Sequence, residues 1–149
     1  MTAGAKRTVV RMPVRQVAAL CWRKSPRLEV LLVTSLRSHR WIIPKGWPEL
    51  GLTLAESAAH EALEEAGVVG DVAPTPLGKY HYVKEKKDGI TLPCDVVIFA
   101  LEVKLRRRTW PEKGVRECAW LTPEQAAARV EEPGLRQVLL NFGKRWAAA

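Results

Sequence analysis

The residues that could do chemistry lie in one acidic segment between Gly46 and Asp71. This segment contains six carboxylic acids and neither lysine nor arginine, the acids being Glu49, Glu56, Glu61, Glu64, Glu65 and Asp71. Residues 1–45 have the opposite character, with ten lysines and arginines against the single acid Glu29. Clustered carboxylates are hard oxygen ligands that suit Mg²⁺ or Mn²⁺ better than Zn²⁺. The segment is therefore a candidate metal site, and the alternative is a solvated acidic face.

The second half of this segment is predicted to be a helix that begins after Thr53. Thr53 and Glu56 fit a capping box, in which each side chain binds the backbone N–H of the other residue. A face of alanines follows, which lets a helix lie close to a sheet, and Gly67 is a typical helix stop. Helical spacing puts Glu61 and Glu65 together at the edge of the alanine face.

This pair of acids is unfavourable in isolation. Like charges four residues apart in a helix repel by a few tenths of a kcal/mol. Acids in the last helical turn also oppose the helix dipole, by roughly 0.3–1 kcal/mol each. Glu64 lies next to the pair, rotated further out. A divalent cation would offset both the repulsion between the acids and their unfavourable interaction with the helix dipole. This favours a metal-binding role for these glutamates.

The same segment resembles the Nudix box, the signature G-x5-E-x7-R-E-U-x-E-E-x-G-U of the Nudix hydrolases, in which U is aliphatic. Gly46 opens the pattern, and residues 60–68 (HEALEEAGV) close it at the matching 23-residue span. Leu52 stands where the pattern has its first Glu, and His60 where it has Arg. In the family, that Glu and Arg usually support the metal-binding glutamates. The resemblance implies a Mg²⁺ ion, with Mn²⁺ as an alternative, held by Glu61, Glu64, Glu65 and the carbonyl of Gly46.

Residues outside the box narrow the resemblance. The segments QVAALCWR, LEVLLVTSLRSHRWIIPKG and WPEKGVRECAWL look like those of the diphosphoinositol polyphosphate phosphohydrolases, which also cleave diadenosine polyphosphates. In that group the loop before the box holds phosphates, and the matching positions here are Ser35, Arg37, Arg40 and Lys45. Arginines beside a metal site also suit a polyphosphate on physical grounds, because the planar guanidinium binds phosphate oxygens bidentately. The alternative is a solvated basic turn.

Length and composition set the class of protein. With 149 residues, 47% hydrophobic and 27% charged, the chain suits one soluble globular domain. We expect a basic N-terminal arm over residues 1–13, without the features of a signal peptide, and a single Nudix domain over residues 14–149. The three cysteines show no metal-binding spacing and suit a cytoplasmic location. No apolar run is long enough to span a membrane, and the net charge of +8 favours polyanionic ligands.

The order of predicted elements indicates an α+β fold. Apolar and alternating runs predict strands at residues 16–22, 28–36, 41–43, 77–85, 96–103 and 115–121. A connection is predicted over residues 71–76, and further helices are predicted after Thr122 and over residues 134–146. This order favours a mixed sheet packed by helices. The resemblance implies the α/β/α sandwich of the Nudix fold, with a mixed central sheet.

The predicted activity is Mg²⁺-dependent hydrolysis of a phosphoanhydride bond in a nucleoside polyphosphate or diphosphoinositol polyphosphate. The metal would neutralise phosphate charge and activate water for in-line attack on phosphorus. Glu64 is the candidate general base, followed by Glu61. His60 is expected to pair with Glu56 or Glu64 on its own helix. Glu112 and Glu117 are further candidates for contact with the metal, and the alternative for them is a surface position. Trp41, Trp47 or Tyr80 could stack on a nucleobase, and the alternative for each is a packing role.

Three alternatives remain open from the sequence. An RNA 5′-pyrophosphohydrolase would use the same metal site, with the basic surface following the strand. A phospho-ligand binding module without turnover would account for Leu52 and His60 at the two box positions. A purely structural domain is the least favoured, because it leaves Glu61, Glu64 and Glu65 without a role. The partner is a small polyphosphate or RNA rather than a membrane, and the sequence leaves the oligomeric state open.

Overall fold

A computed structural model describes residues 12–24 and 26–147, so nearly all of the predicted N-terminal arm lies outside the described residues. The elements follow in the order β1 (Val14–Lys24), β2 (Leu28–Thr34), β3 (Trp41–Ile42), β4 (Lys45–Gly46), α1 (Leu54–Ala66), β5 (Val68–Val72), β6 (Gly78–Glu85), β7 (Thr91–Arg106), β8 (Cys118–Leu121), α2 (Pro123–Arg129) and α3 (Pro133–Ala147). None of the helices in this part of the chain is long and apolar enough to cross a membrane.

A single mixed sheet of eight strands occupies the middle of the molecule. Its main path runs β3-β2-β1-β7-β5, and β4, β6 and β8 pair with β1, β7 and β2 respectively. The central strands β1 and β7 are parallel, whereas the other pairs are antiparallel. β1 pairs with β4 at Val17 and Ala18 and with β2 from Trp22 onward. The short strand β4 is therefore anchored to the centre of the sheet.

Helices cover both faces of this sheet. α1 packs on one face, in a core that includes Val17, Ala19 and Leu31. α2 and α3 pack on the other face, in a core that includes Ala18 and Leu20. Alternate residues of β1 enter the two cores because successive side chains of a strand point to opposite faces. The structure thus confirms the predicted α/β/α sandwich with a mixed central sheet.

The helix α1 begins and ends where the sequence predicts. Thr53 and Glu56 form both hydrogen bonds of the capping box, and Gly67 ends the helix in the left-handed conformation with φ of 70°. Gly67 is also the residue against which the Trp110 ring packs, since a Cβ there would lie 2.3 Å from that ring. The buried face of α1 consists largely of alanine, with Ala58 and Ala62 fully buried. This small-residue face brings the helix, and the glutamates at its edge, close to the sheet.

The structure differs from the sequence prediction mainly at β5. Residues 71–76 are predicted as a connection, but a strand occupies Val68–Val72 and pairs with β7. Gly70 lowers the strand propensity of this segment. It is nevertheless required there, because a Cβ at position 70 would lie 2.0 Å from the carbonyl oxygen of Glu102. The strand forms because β7 supplies hydrogen-bond partners, which a local pattern does not reveal.

Smaller differences concern the ends of most strands, and β1, predicted over residues 16–22, extends over Val14–Lys24. β2 ends at Thr34 rather than at residue 36, and β7 extends in both directions beyond residues 96–103. β8 begins at Cys118 rather than at residue 115, because the chain turns through residues 111–116 with Gly114 at φ of 82°. The predicted helices after Thr122 and from residue 134 are confirmed, the first with its own capping box.

Candidate functional site

The acidic centre forms where α1 meets the backbone of β4. A Cβ at position 46 would lie 2.3 Å from the carboxyl carbon and from one carboxyl oxygen of Glu61. The Glu61 carboxyl group therefore rests directly on the Gly46 backbone, and a side chain at position 46 would displace that carboxyl group from its position. The contact joins the loop strand to the helix and places two predicted metal-site residues against each other.

Glu65 lies deepest in this centre. Its side chain is 3% exposed, and its Oε1 atom is buried without a hydrogen-bond partner among the described residues. Burial raises the pKa of Glu65 to about 9, with the neighbouring Glu61 adding to the rise and the Arg116 guanidinium opposing it. The pKa of Glu61 is also raised, chiefly by burial. A buried and a half-buried carboxyl group that resist ionisation together are the arrangement that a divalent cation would stabilise.

The donor set fits such a cation. Carboxylate oxygens are the ligands that Mg²⁺ and Mn²⁺ prefer, and the unpartnered Oε1 of Glu65 is a buried acceptor that lacks a donor. Buried polar atoms in native structures are generally paired, so an unpaired one requires an explanation. Glu61, Glu65 and the Gly46 backbone thus form a compact candidate metal centre.

Glu64 faces a different pair of side chains. Its Oε1 atom lies 3.9 Å from Nε2 of His60, whose Nδ1 atom is 2.6 Å from Oε1 of Glu49. Ligand atoms of Glu49, His60 and Glu64 all lie within 4.8 Å of one another. The predicted metal ligands therefore fall into two neighbouring groups. Glu61 and Glu65 lie at Gly46, whereas Glu64 lies beside His60.

The partner of His60 differs from the expected one. Of the two predicted partners, Glu64 lies at 3.9 Å, whereas Glu56 is engaged in the capping box of α1. The shorter contact is to Glu49, and this hydrogen bond raises the pKa of His60. Sequence reasoning missed Glu49 because it lies in an irregular loop, where helical spacing does not apply.

Arg116 is a second residue that sequence reasoning missed. Its side chain is 10% exposed, and Nη1 lies 3.7 Å from Oε1 of Glu65 and donates a hydrogen bond to the Thr34 carbonyl at 2.9 Å. Nη2 lies 3.3 Å from Oε1 of Glu112. Glu112 is thus engaged by Arg116, and Glu117 is exposed. Arg116 lies in a charged segment just before β8, which marks it as a residue to consider. Its contact with Glu65 on α1 could not be predicted, because no local pattern connects the two segments.

The predicted phosphate-binding loop lies beside the other helical layer. Ser35 accepts a hydrogen bond from the Arg40 backbone, and Arg37 donates one to the Glu85 carbonyl. Arg40 pairs with Glu132 at 3.0 Å, at the start of α3. Each of these predicted residues therefore has a partner within the chain.

Lys45 links this loop to the acidic centre. Its Nζ atom donates a hydrogen bond to the Tyr82 hydroxyl at 2.9 Å, and that hydroxyl donates to Gln16. Burial lowers the pKa of Lys45, while the charges of Glu65 and Glu132 raise it. The next residue is Gly46, so β4 presents an ammonium group toward one layer and the Glu61 contact toward the other.

The aromatic candidates have different environments. Tyr80 is 1% exposed and belongs to the core under α3, which favours its packing role. Trp41 lies under the Arg129 guanidinium at 5.6 Å. Trp47 is 45% exposed, in the loop that follows Gly46.

A separate cavity of about 440 Å³ adjoins Glu64 and is lined in part by His60, Arg107 and Trp110.

Comparison with known proteins gives a consistent result. The family model of the NUDIX domain matches residues 14–142. Nudix hydrolase 13, mitochondrial, of Arabidopsis thaliana is 37% identical over 122 residues, covering 78% of this chain and 60% of the relative. The diphosphoinositol polyphosphate phosphohydrolase 3-beta of Bos taurus is 38% identical over 74 residues, covering 49% of this chain and 44% of the relative.

The structural comparison agrees on the fold. The crystal structure of an Ap4A hydrolase from C. elegans superposes with a TM-score of 0.63 at 20% identity, covering 91% of this chain and 99% of that one. The chain spans about three fifths of the length of the first curated relatives it matches, at 59% and 60%. From the family match over most of its length, together with the acidic helix packed on Gly46, the chain belongs to the Nudix hydrolases, a family that acts on phosphorus-containing anhydrides.

Proposed function

We propose that this chain hydrolyses a phosphoanhydride bond in a nucleoside polyphosphate or diphosphoinositol polyphosphate, with Mg²⁺ or Mn²⁺ as the required ion. The observation that carries the proposal is Glu65, a buried carboxyl group with an unpartnered oxygen, beside Glu61 and the Gly46 backbone. Arg116 is 3.7 Å from Glu65 and is shared with Glu112, so the ionised form of Glu65 is only partly compensated within the described part of the chain. A cation bound there would supply charge neutralisation and an activated water for attack on phosphorus.

The roles of the acidic residues follow from their burial. Glu65 is buried, Glu61 is half-buried, and the Glu61 carboxyl group lies against the Gly46 backbone. These two side chains and the carbonyl of Gly46 would therefore hold the cation. Glu64 is the proposed general base because it is less buried and faces the imidazole of His60 rather than the Glu61–Glu65 pair. Glu61 is the second candidate for that role. A base must accept a proton from water within hydrogen-bond reach.

The basic residues are proposed to hold the phosphates beyond the cleaved bond. Lys45 is next to Gly46 and is already influenced by the charge of Glu65, so it would contact the phosphate nearest the cation. Arg37, Arg40 and Ser35 would bind phosphates further along the phosphate chain, after Arg37 releases the Glu85 carbonyl and Arg40 releases Glu132. Arginine suits such sites because its planar guanidinium binds two phosphate oxygens at once.

The substrate class and location complete the proposal. The Bos taurus relative is named for diphosphoinositol polyphosphate, which supports a densely phosphorylated substrate for this chain. The net charge of +8 attracts such polyanions.

A cytoplasmic location stays a prediction, supported by Cys21, Cys94 and Cys118 as free thiols.

A phosphate-release screen tests the proposal. Purified protein is assayed with Mg²⁺, Mn²⁺ or EDTA on dinucleoside polyphosphates, nucleotide sugars, nucleoside triphosphates and diphosphoinositol phosphates. We expect metal-dependent release with at least one of these classes. Absence of release from every class, with folded protein and excess metal, would contradict the proposal. Retained ligand binding in that case would favour the alternative of a binding module without turnover.

RNA with a 5′-terminal polyphosphate is the second candidate substrate. It is supported by the basic character of the chain, which carries 24 lysines and arginines against 16 acids. A protein that follows an RNA strand loses affinity steeply with salt, because bound counterions are released. A preference for long RNA over nucleoside triphosphates, together with a steep salt dependence, would identify this activity.

A further inference from the structure

The two departures from the Nudix box leave an unusual arrangement around His60. Leu52, at the position of the box Glu, is 39% exposed and carries no charge. His60, at the position of the box Arg, therefore lacks a partner at position 52. The imidazole instead contacts Glu49, three residues earlier in the same loop, with its Nδ1 atom 2.6 Å from Oε1.

Glu49 is fastened to α1 by two contacts. Its backbone N–H donates a hydrogen bond of 3.0 Å to Oγ of Ser57, and its carboxylate binds His60. Ser57 is 1% exposed, so the first contact has a rigid base. Ser57 and His60 lie three residues apart on the same helix face. The loop that follows Gly46 is thus attached to the helix at its middle, whereas Leu50 beside it is fully exposed.

The other ring nitrogen of His60 points to a catalytic candidate. Nε2 lies 3.9 Å from Oε1 of Glu64, one turn further along α1. The imidazole therefore lies between a loop carboxylate, to which it is hydrogen-bonded, and a helix carboxylate. The hydrogen bond to Glu49 holds the loop to the helix, next to the contact between Gly46 and Glu61. The approach to Glu64, at 3.9 Å, is an electrostatic contact rather than a hydrogen bond.

We propose that Glu49 and His60 are a relocated positioning pair, which takes the place of the absent box Glu and Arg and holds the Gly46 loop and Glu64 in the geometry that binds the cation. The proposal rests on the proposed function for the role of the cation. Neither residue needs to touch the ion. Partners of metal ligands commonly change metal affinity by about 10- to 100-fold when removed.

The first test is a double-mutant cycle in metal-free protein. Unfolding by urea is measured for the wild type, Glu49→Ala, His60→Ala and the double variant. If the two side chains act together, the effects on the folding equilibrium constant are non-additive by more than about threefold. Additive effects would show that the contact does not hold the loop to the helix, and would overturn the proposal.

The second test measures Mn²⁺ affinity directly, by titration with detection of free Mn²⁺ by electron paramagnetic resonance. We expect Glu49→Ala and His60→Ala each to raise the Kd for Mn²⁺ by about tenfold or more. Leu50→Ala controls for truncation of a side chain in the same loop. Glu56→Gln controls for loss of one negative charge near α1, because glutamine can still close the capping box. Variants with the same Kd as these controls would overturn the proposal.

A relocation test completes the design. Leu52→Glu and His60→Arg are introduced together into the Glu49→Ala variant. This restores the acidic Glu and the cationic Arg of the Nudix box at positions 52 and 60. The Kd for Mn²⁺ is expected to return to within about threefold of the wild type. Absence of any recovery would overturn the claim that the pair takes the place of the box residues.

These readouts separate the pair from the proposed function. If the wild type binds no Mn²⁺, the proposed metal centre fails, while the metal-free cycle still decides whether Glu49 and His60 couple. If the wild type binds Mn²⁺ and Glu65→Gln abolishes binding, the centre stands. The affinities of the Glu49 and His60 variants then decide the positioning role alone.

Discussion

At the scale of single residues, the acidic centre is defined by how little the protein itself stabilises Glu65. The nearest cation, Arg116, lies at 3.7 Å and is shared with Glu112 and with the Thr34 carbonyl. Within residues 12–24 and 26–147, the Oε1 atom of Glu65 has no hydrogen-bond partner. A buried carboxyl group with so little compensation remains protonated unless another charge is supplied. A bound divalent ion would supply it.

Glu65→Gln tests this role in turnover. Glutamine has nearly the same shape and is neutral, so the fold should persist while a ligand charge is lost. We expect kcat with Mg²⁺ to fall by at least about 100-fold on whichever substrate is active, because the ion stabilises several kcal/mol of transition-state charge. Glu56→Gln is the matched control and should remain near the wild type. Near-wild-type turnover in Glu65→Gln would refute the assignment.

The raised pKa of Glu65 also predicts how stability depends on pH. The folded state binds the proton up to a pKa of about 9, whereas the unfolded chain releases it near the ordinary glutamate value of 4.5. Between these values the folded state holds more protons, so the free energy of unfolding decreases as pH rises. In EDTA, the contribution of Glu65 is complete below the lower value and is lost toward the higher one.

Thermal unfolding in EDTA between about pH 5 and 8 measures this slope. The melting temperature of the wild type should fall with pH more steeply than that of Glu65→Gln, which cannot titrate at this position. Excess Mg²⁺ should flatten the slope, because the ion favours the ionised carboxylate. Parallel slopes for the wild type and Glu65→Gln would contradict the prediction.

At the scale of elements, β4 is a strand of two residues that serves both layers. It is held to β1 at Val17 and Ala18, and it presents Gly46 to α1. The group that a Cβ at position 46 would strike is the end of the flexible Glu61 side chain, not backbone. That side chain could move aside, so the strand should tolerate a Cβ better than the site does.

Gly46→Ala is therefore expected to separate folding from metal binding. The Glu61 carboxyl group must leave the position it shares with the new methyl group. We expect a melting temperature within a few degrees of the wild type and a Kd for Mn²⁺ at least about tenfold higher. Gly51→Ala is not a suitable control, because Gly51 has φ of 85° and would add backbone strain. Unchanged affinity in Gly46→Ala would show that Glu61 does not need this contact.

The elements also show why some features could be predicted and others could not. The capping box, the alanine face and the stop at Gly67 are local patterns, and each is present in α1 as expected. The strand β5 contains Gly70 and depends on pairing with a distant strand. The same reason hides Glu49 and Arg116, whose contacts join a loop and a helix that are brought together only by the fold. Local periodicity predicts which side chains share a face, but not which faces meet.

At the scale of the whole molecule, a cation that binds only the folded chain must stabilise it. The stabilisation is RT ln(1 + [L]/Kd), or about 2.7 kcal/mol when the free ion is at 100 times its Kd. For a domain of this size, that corresponds to a rise of roughly 5–10 °C in melting temperature. Thermal unfolding with increasing Mn²⁺ measures it, with Glu65→Gln as the control. A wild-type melting temperature that does not respond to excess Mg²⁺ or Mn²⁺ would count against the centre.

The candidate metal centre and the predicted phosphate-binding loop lie on opposite faces of the sheet, and β4 joins them. Glu61 and Glu65 lie on the α1 side, whereas Arg40 contacts Glu132 at the start of α3. A phosphate chain bound at the cation could extend past Lys45 toward the loop of residues 35–40. Short substrates would end before this loop, and long ones would reach it. Chain length should therefore decide whether the loop contributes.

Arg37→Ala tests this arrangement most cleanly. Arg37 is exposed, and in the part of the chain that the structure describes its side chain donates only to a backbone carbonyl. Arg40→Ala, by contrast, would also leave the buried Glu132 without its cation. A charge-assisted contact contributes about 1.5–3 kcal/mol, or roughly 10- to 150-fold in kcat/KM. We expect a loss of that size on a penta- or hexaphosphate substrate and about twofold or less on a simple diphosphate. Arg108→Ala removes the same charge outside the loop and should affect both substrates alike. Equal losses on long and short substrates in Arg37→Ala would show that the loop does not read phosphate length, and that its arginines act through overall charge alone.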